Sequence, residues 1–341
     1  MERFRGKWYH TSRFPRGGVD FTAKRVAVVG TGASAVQAIP EIAQQAKQLT
    51  VFQRTPNYCL PARNGKVDPE RVAARKADYD AIIERTRSSF AGFELARIPK
   101  SALEATPEER EREFERMWDI GGFIFGLGNY QDVLLSREAN KIVADYLGNK
   151  IRRVVKDPAV AEKLVPKKHP FGTKRTPLDT NYYETFNKDN VLLVDAKTDG
   201  EIEEITETGI RAGGNEYPLD IIVFATGFDA MTGPLKALNL KGRGGRTLDH
   251  EWRDGPHTYL GVSVTGFPNL FTITGPQSPS VLSNMPVSIE QHVDWIAHCI
   301  DTMRKTSKTT IEATPAAQDQ WVAAGCVSLC SLPASIRLAT R

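Results

Sequence analysis

The sequence predicts an α/β fold built on a doubly wound, Rossmann-like parallel sheet, and three observations support this class. A β-branched run at Arg25–Val29 ends in a glycine loop, a helix-like stretch continues to about Gln45, and a second strand follows at Leu49–Gln53. This β–loop–α–β order is the opening unit of such a sheet. A charged helical pattern then occupies about 68–165, and strand-like runs return after it. We therefore expect one sheet with a helical insertion between its strands.

Helix starts inside the insertion are marked by a capping side chain followed by proline, at Asp68–Pro69, Thr106–Pro107 and Asp157–Pro158. Thr106 and Glu109 also have the spacing of a capping box. The insertion could cover a site, although solvated helices would give the same pattern.

Four later runs have the composition of strands, at Val191–Val194, Ile202–Ile205, Asp220–Ala225 and Leu270–Thr274. The last two end in FATG and ITGP. In open α/β sheets ligands bind at the carboxyl ends of strands, so these two loops are candidate ligand contacts.

The composition fits an ordinary globular protein. Its 341 residues leave room for about two domains. The formal net charge is only +4, with acids and bases interspersed, which argues against nucleic acid or a membrane surface as partner. No apolar run approaches the ~18 residues of a membrane span, and the N-terminus lacks a secretory signal, so a cytoplasmic location is expected. Cys326 and Cys330 alone do not complete a metal site, so no metal is expected.

The motif GTGASA follows the first predicted strand and has the spacing of a dinucleotide-binding loop. Gly30 would allow the tight turn, Gly32 would let the backbone approach a pyrophosphate, and Ala35 would permit close packing of helix on strand. Ser34 and Gln37 lie in the same segment and belong to the predicted cofactor-binding set.

The residues after the second strand predict which dinucleotide binds. An NAD site has an acidic residue about 20 residues after the glycines, whereas this chain has Arg54 and Thr55. A guanidinium suits the 2′-phosphate of NADP. A second basic pair, Lys174–Arg175, would by itself be a solvated pair, and the nearby His169 is expected to be structural. Motifs for hydrolytic or metal chemistry are not found in the sequence.

With these residues in view, the sequence closely resembles the Baeyer–Villiger flavin monooxygenases, the family of cyclohexanone and phenylacetone monooxygenases. Their fingerprint FxGxxxHTxxWP is matched by FRGKWYHTSRFP, with Phe14 in place of tryptophan. Four further blocks match in order: VFQRTPNY, HPFGTKR, FATGFDA and SPSVLSNM…SIEQHVDW. The likeness extends to about Trp321.

The resemblance implies roles for individual residues. The glycine loop would face the pyrophosphate of NADPH, and Arg54, Thr55 and Lys174 would hold its 2′-phosphate. Arg175 matches the active-site arginine, and His10 is a hinge and hydrogen-bonding residue of the catalytic set. The loop through Leu282 and Met285 would line the pocket for flavin and substrate.

The implied reaction is oxidation of a small ketone to an ester or lactone, with FAD and NADPH as cofactors and dioxygen as co-substrate. Arginine suits this chemistry because it stays charged and presents fixed donors to developing negative charge.

The resemblance also implies a domain organisation. Residues 1–24 would be an interdomain linker, 25–225 the NADP-binding domain with its insertion, and 226–341 the C-terminal part of a second, FAD-binding Rossmann-like domain. Family members carry a flavin-binding GxGxxG before the fingerprint, and the last residues here match nothing in the family. We therefore expect a fragment that lacks the N-terminal FAD-binding segment and has an aberrant C-terminus.

Two other functions stay open at this point. One is an amine- or sulfide-oxidising flavin monooxygenase, since Phe14 blurs the fingerprint. The other is an inactive NADP-binding fragment.

Overall fold

The structure is a computed structural model that describes residues 3–89, 91–278 and 283–331. The strands are β1 (Lys7–His10), β2 (Arg25–Val29), β3 (Gln48–Gln53), β4 (Leu60–Pro61), β5 (Leu178–Asp179), β6 (Val191–Asp195), β7 (Ile202–Ile205), β8 (Gly209–Ala212), β9 (Asn215–Pro218) and β10 (Ile221–Phe224). The helices are α1 (Ala33–Gln45), α2 (Pro69–Ala77), α3 (Tyr79–Ser88), α4 (Pro107–Ile120), α5 (Ile124–Leu127), α6 (Arg137–Val154), α7 (Pro158–Leu164), α8 (Tyr182–Thr185), α9 (Gly233–Ala237), α10 (Leu248–Glu251), α11 (Met285–Lys305) and α12 (Pro315–Ser331).

The chain divides into two compact units. Within the described residues, the first contains 3–65 and 97–228, and the second contains 66–96 and 229–331. The predicted helical insertion therefore contributes residues to both units. The domain boundaries expected from the sequence stay a prediction.

A parallel sheet of five strands, in the order β1-β10-β2-β3-β6, forms the centre of the first unit. This confirms the α/β class with a Rossmann-like parallel sheet. The central strand β2 is buried on both faces, with Val26, Ala27 and Val28 at 0% exposure. Such burial explains its continuous β-branched sequence, because helices or other layers cover both faces of a parallel sheet.

Strand β1 lies at one edge of this sheet and comes from the fingerprint segment. It pairs in parallel with β10, with Lys7 opposite Ile221 and His10 opposite Phe224. The sequence did not predict a strand here. Four residues are too few for a clear alternating pattern.

The two faces of the sheet have separate cores. Helix α1 contributes Val36, Ile39 and Ile42 to one core. The other core contains Phe4 and residues of a three-stranded antiparallel sheet, β7-β8-β9, including the fully buried Ile210.

The expected helix starts are confirmed. Asp68, Thr106 and Asp157 cap α2, α4 and α7 with their side chains, and each of these helices has proline in its first turn. Thr106 and Glu109 form both hydrogen bonds of the capping box. Helices α4, α5 and α6 pack around an aromatic core that contains Phe114, Phe125, Tyr130, Tyr146 and Phe171.

In the second unit, Asn284 is the N-cap of α11 and joins this helix to the segment after α3. The main-chain N–H of Asn284 donates to Ala91, and its side chain donates to the carbonyl oxygen of Gly92 at 2.8 Å. A small core around Leu248 and Trp252 lies elsewhere in this unit.

The prediction of a strand at Leu270–Thr274 is wrong. The main-chain N–H of Thr272 donates to Val262, and Thr274 has a φ of +51°, so the backbone turns within the predicted run. No neighbouring strand pairs with this segment within the described residues. An apolar, β-branched run does not become a strand unless a neighbour accepts its hydrogen bonds.

Candidate functional site

The glycine loop between β2 and α1 has the geometry expected for a phosphate-binding turn. Gly30 has a φ of +108°, and a Cβ there would lie 2.5 Å from the carbonyl oxygen of Ala225. A Cβ on Gly32 would meet no atom within 4 Å, so the loop is open to solvent at that position. Gly32 is also the N-cap of α1, and Ala35 is fully buried one turn later. The free N–H groups of this helix start are suited to binding an anion.

Two further predicted residues lie on the first two turns of α1. Ser34 is half-buried and Gln37 is exposed. The loop itself is fixed to the segment after β3, because the hydroxyl of Thr31 donates to the carbonyl oxygen of Thr55 at 3.1 Å. The glycine loop and Arg54–Thr55 are therefore neighbours.

Arg54 directly follows β3 and is exposed, whereas Thr55 is half-buried. The Arg54 guanidinium has no hydrogen-bond or ion-pair partner in the described part of the chain. Its neighbour Gln53 is only 1% exposed and is anchored by hydrogen bonds to Lys163 and Asp195. The backbone before Arg54 is thus fixed, while its charge is available to a ligand.

The second basic pair lies beside this segment. The side-chain amide of Asn57 donates to the main-chain oxygen of Arg175 at 3.0 Å. Both Lys174 and Arg175 are exposed, and their charged groups have no hydrogen-bond or ion-pair partner among the described residues. Segments 118 residues apart in sequence are joined by this bond, so cations from two parts of the chain lie at the same end of the sheet.

His169 is packed rather than exposed at this site. Its ring lies 5.5 Å from that of Tyr58, and neither ring nitrogen has a hydrogen-bond partner or contact with solvent. Burial, and then the nearby charge of Lys174, lower the pKa of His169. The ring is therefore neutral near pH 7.

His10 ends β1 and contacts the segment that follows β10. Its Nδ1 lies 2.7 Å from the hydroxyl of Ser12, and its Nε2 lies 3.4 Å from the hydroxyl of Thr226. The ring also meets Phe228 edge-on, with 6.0 Å between ring centroids. The fingerprint histidine and the FATG block are thus in direct contact.

Comparisons with known proteins show which proteins the chain is similar to. No family model matches the chain. A Baeyer–Villiger monooxygenase of Pseudooceanicola batsensis is 44% identical over 324 residues, which are 94% of this chain and 58% of the relative. Cyclopentanone 1,2-monooxygenase of Comamonas sp. is 43% identical over 323 residues, again 94% of this chain and 58% of the relative. The chain is homologous to the Baeyer–Villiger monooxygenases.

A solved structure agrees with that homology. The crystal structure of OTEMO in complex with FAD and NADP superimposes with a TM-score of 0.91 at 43% identity, covering 94% of this chain and 61% of that one. The chain thus spans about 60% of the length of the proteins that it matches.

The other two residues of the predicted site are Leu282 and Met285. Leu282 is outside the described residues. Met285 is the first residue of α11 in the second unit and is 38% exposed. The structure therefore brings together the glycine loop, Arg54, Thr55, Lys174 and Arg175, all in the first unit.

Sequence reasoning missed the residues that hold this cluster together. Thr31, Gln53 and Asn57 act through hydrogen bonds to main-chain carbonyls in other segments. Their positions within GTGASA and VFQRTPNY, next to the predicted ligand contacts, were the available signal. Within the residues that the structure describes, no helix could cross a bilayer, and no group of His, Cys, Asp or Glu could hold a metal.

Proposed function

We propose that the chain belongs to a flavin-dependent Baeyer–Villiger monooxygenase that uses NADPH and dioxygen to convert a ketone into an ester or lactone. The observation that carries this proposal is that two segments with unpaired cationic side chains, Arg54–Thr55 and Lys174–Arg175, lie near the glycine loop. The relatives' names support the rest: one acts on cyclopentanone, and OTEMO binds both FAD and NADP.

The residues present fit NADPH. The open position at Gly32 and the free N–H groups at the start of α1 would receive the pyrophosphate. Ser34 and Gln37 are three positions apart on α1, on one face of the helix, and would contact the coenzyme from there. Arg54, Thr55 and Lys174 would hold the 2′-phosphate, because two cations and a hydroxyl can neutralise and hydrogen-bond a phosphate monoester.

Arg175 is the residue that we assign to the reaction itself. Its guanidinium is exposed and unpaired within the described residues, while its main-chain oxygen is fixed by Asn57. FAD, when bound, would supply the redox chemistry. Arg175 would then stabilise negative charge that develops on oxygen, using the fixed donors of its guanidinium.

We assign the remaining predicted residues to supporting roles. His10 would act as a hinge between the fingerprint strand and the FATG block, because it contacts Thr226. Leu282 and Met285 would line the pocket for flavin and ketone. A cytoplasmic location completes the proposal.

Coenzyme preference is the first test. Titration of the 341-residue chain with NADPH and NADH, followed by reduced-nicotinamide fluorescence, should give a preference for NADPH of at least tenfold. Equal affinities would overturn the assignment of Arg54 and Lys174.

Product analysis is the second test, in a form of the protein shown to hold FAD. Supplied with NADPH, a cyclic ketone should yield a lactone. Sulfoxide from a thioether without any lactone would favour the heteroatom-oxidising alternative. NADPH binding by a chain that never acquires flavin would favour the NADP-binding module.

A further inference from the structure

The loop after β3, residues 54–58, is held from three sides. Thr31 donates to its Thr55 carbonyl at 3.1 Å. Asn57 donates from its side-chain amide to the carbonyl oxygen of Arg175 at 3.0 Å. The hydroxyl of Tyr58 donates to the carbonyl oxygen of Pro166 at 3.3 Å. This loop is therefore the element that joins the glycine loop to the segment that carries the second basic pair.

Asn57 is itself held in place by a buried tyrosine. The hydroxyl of Tyr183 donates to the main-chain oxygen of Asn57 at 3.3 Å and accepts from the main-chain N–H of Cys59 at 3.1 Å. Tyr183 is 2% exposed, so its hydroxyl is a fixed point of the core. The backbone of Asn57 is thus fixed by Tyr183, and its side-chain amide donates to Arg175.

The start of the loop is anchored independently of Asn57. The side-chain nitrogen of Gln53 donates to the carbonyl oxygen of Lys163 and to the carboxylate of Asp195, both at 2.8 Å. The Asp195 carboxylate also accepts from the main-chain N–H of Lys197. These bonds fix the backbone before Arg54, so the distance between the two basic segments depends on where the 174–175 segment is held.

That segment is also tied to the chain just beyond the loop, by the pairing of β4 with β5. The main-chain N–H of Leu60 donates to the carbonyl oxygen of Pro177 at 3.0 Å, two residues beyond Arg175, whereas the bond from Asn57 reaches Arg175 itself. Lys174 and Arg175 themselves are exposed and their cationic groups are unpaired in the described part of the chain. Two like charges on neighbouring segments also repel each other when no anion lies between them.

We propose that Asn57 is a positioning residue for coenzyme selection. Its hydrogen bond to Arg175 holds the 174–175 segment at the spacing at which Lys174 and Arg54 reach one and the same 2′-phosphate. This inference rests on the proposed function, because it assumes that the two cations serve NADPH. Asn57 does not touch the coenzyme in this proposal and acts only through the segment that it holds.

The test compares coenzyme affinities of Asn57→Ala in the full 341-residue chain. We expect the dissociation constant for NADPH to rise about tenfold and that for NADH to change less than twofold, because NADH lacks the group on which the two cations meet. Asn190→Ala is the matched control: the Asn190 amide also donates to main-chain carbonyls, of Ala43 and Ala46, away from the loop. It should leave the NADPH-to-NADH ratio unchanged whatever it does to the melting temperature.

A double-mutant cycle distinguishes positioning from general destabilisation. In the Arg54→Ala background the spacing between the two cations no longer matters, so Asn57→Ala should weaken NADPH binding less than twofold further. A tenfold further loss there, or equal losses for NADPH and NADH in the single variant, would overturn the inference. A wild-type chain without preference for NADPH would instead refute the proposed function.

Discussion

The main-chain oxygen of Ala225 lies 2.5 Å from the position that a Cβ on Gly30 would occupy. The turn after β2 thus passes directly over the end of β10, and Gly30 adopts a φ of +108° to do so. Only glycine combines that backbone conformation with this close approach.

Gly30→Ala should therefore destabilise the protein by about 2–4 kcal/mol, combining the strain of a positive φ with displacement of the Ala225 carbonyl. Denaturant unfolding followed by circular dichroism would measure this loss. Gly32→Ala is the control within the same loop, because its Cβ would meet no atom within 4 Å. It should keep nearly wild-type stability and weaken coenzyme binding. Equal stability of the two variants would contradict the packing described for Gly30.

Arg54→Ala should weaken NADPH binding by roughly tenfold or more, since a charge-assisted hydrogen bond contributes about 1.5–3 kcal/mol. NADH binding should change less than twofold. Fluorescence titration measures both. Arg211→Ala serves as the control, because Arg211 is paired with Glu204 on the antiparallel sheet of the same unit. If both substitutions reduced NADPH affinity equally, a general effect of charge would explain the result and the specific role of Arg54 would be lost.

Arg175→Ala should leave NADPH binding within about threefold of wild type and reduce lactone formation by at least a hundredfold, the scale on which loss of one oxyanion-stabilising donor acts. Lactone is quantified by gas chromatography in a form of the protein shown to hold FAD. Lys174→Ala should show the reverse pattern: NADPH binding should be weaker, and the rate of lactone formation at saturating NADPH should be kept. An undiminished lactone yield in Arg175→Ala would remove this residue from the reaction.

Asp179 should make stability depend on pH. Burial raises the pKa of this carboxyl from 3.8 to about 6, although the carboxylate accepts a 2.5 Å hydrogen bond from the N–H of Tyr182. Between these two values the folded state holds a proton that the unfolded state has released. The contribution of Asp179 to stability is therefore full below about pH 4 and is lost as the pH rises through 6.

Asp179→Asn removes this dependence and keeps an oxygen that can accept from Tyr182. The variant should gain on wild type as the pH rises from 4 to 7, by up to about 3 kcal/mol in unfolding free energy. Urea unfolding at several pH values measures the difference. A difference that stays constant over this range would contradict the raised pKa.

Much of the fold could be predicted because its signals are local. The strand β2, the glycine loop and α1 follow each other without a gap, and proline after a capping residue marks the starts of α2, α4 and α7. The run at 270–274 carries an equally good local signal, but a strand also depends on a neighbour that local sequence cannot supply. For the same reason β1 was missed: its four residues form a strand because β10 lies beside them.

The candidate site divides in a similar way. Some residues could be found from the sequence and its resemblance to a family, because their type alone indicates a chemical role. Gly30, Arg54 and Lys174 are examples. Asn57 and Gln53 could not, because an amide has no distinctive pattern until its carbonyl partner is known. Those partners, Arg175 and Lys163, lie more than a hundred residues further along the chain.

The position of β1 has a consequence for the smallest piece of this chain that can fold. A deletion that began the chain at β2 would keep the glycine loop and both basic segments, yet it would remove the outer neighbour of β10 and leave the hydrogen-bonding edge of that strand unpaired. It would also remove Phe4 from the core beneath the sheet. An autonomous nucleotide-binding module must therefore include the fingerprint, which makes a motif known for its sequence a structural part of the domain that follows it.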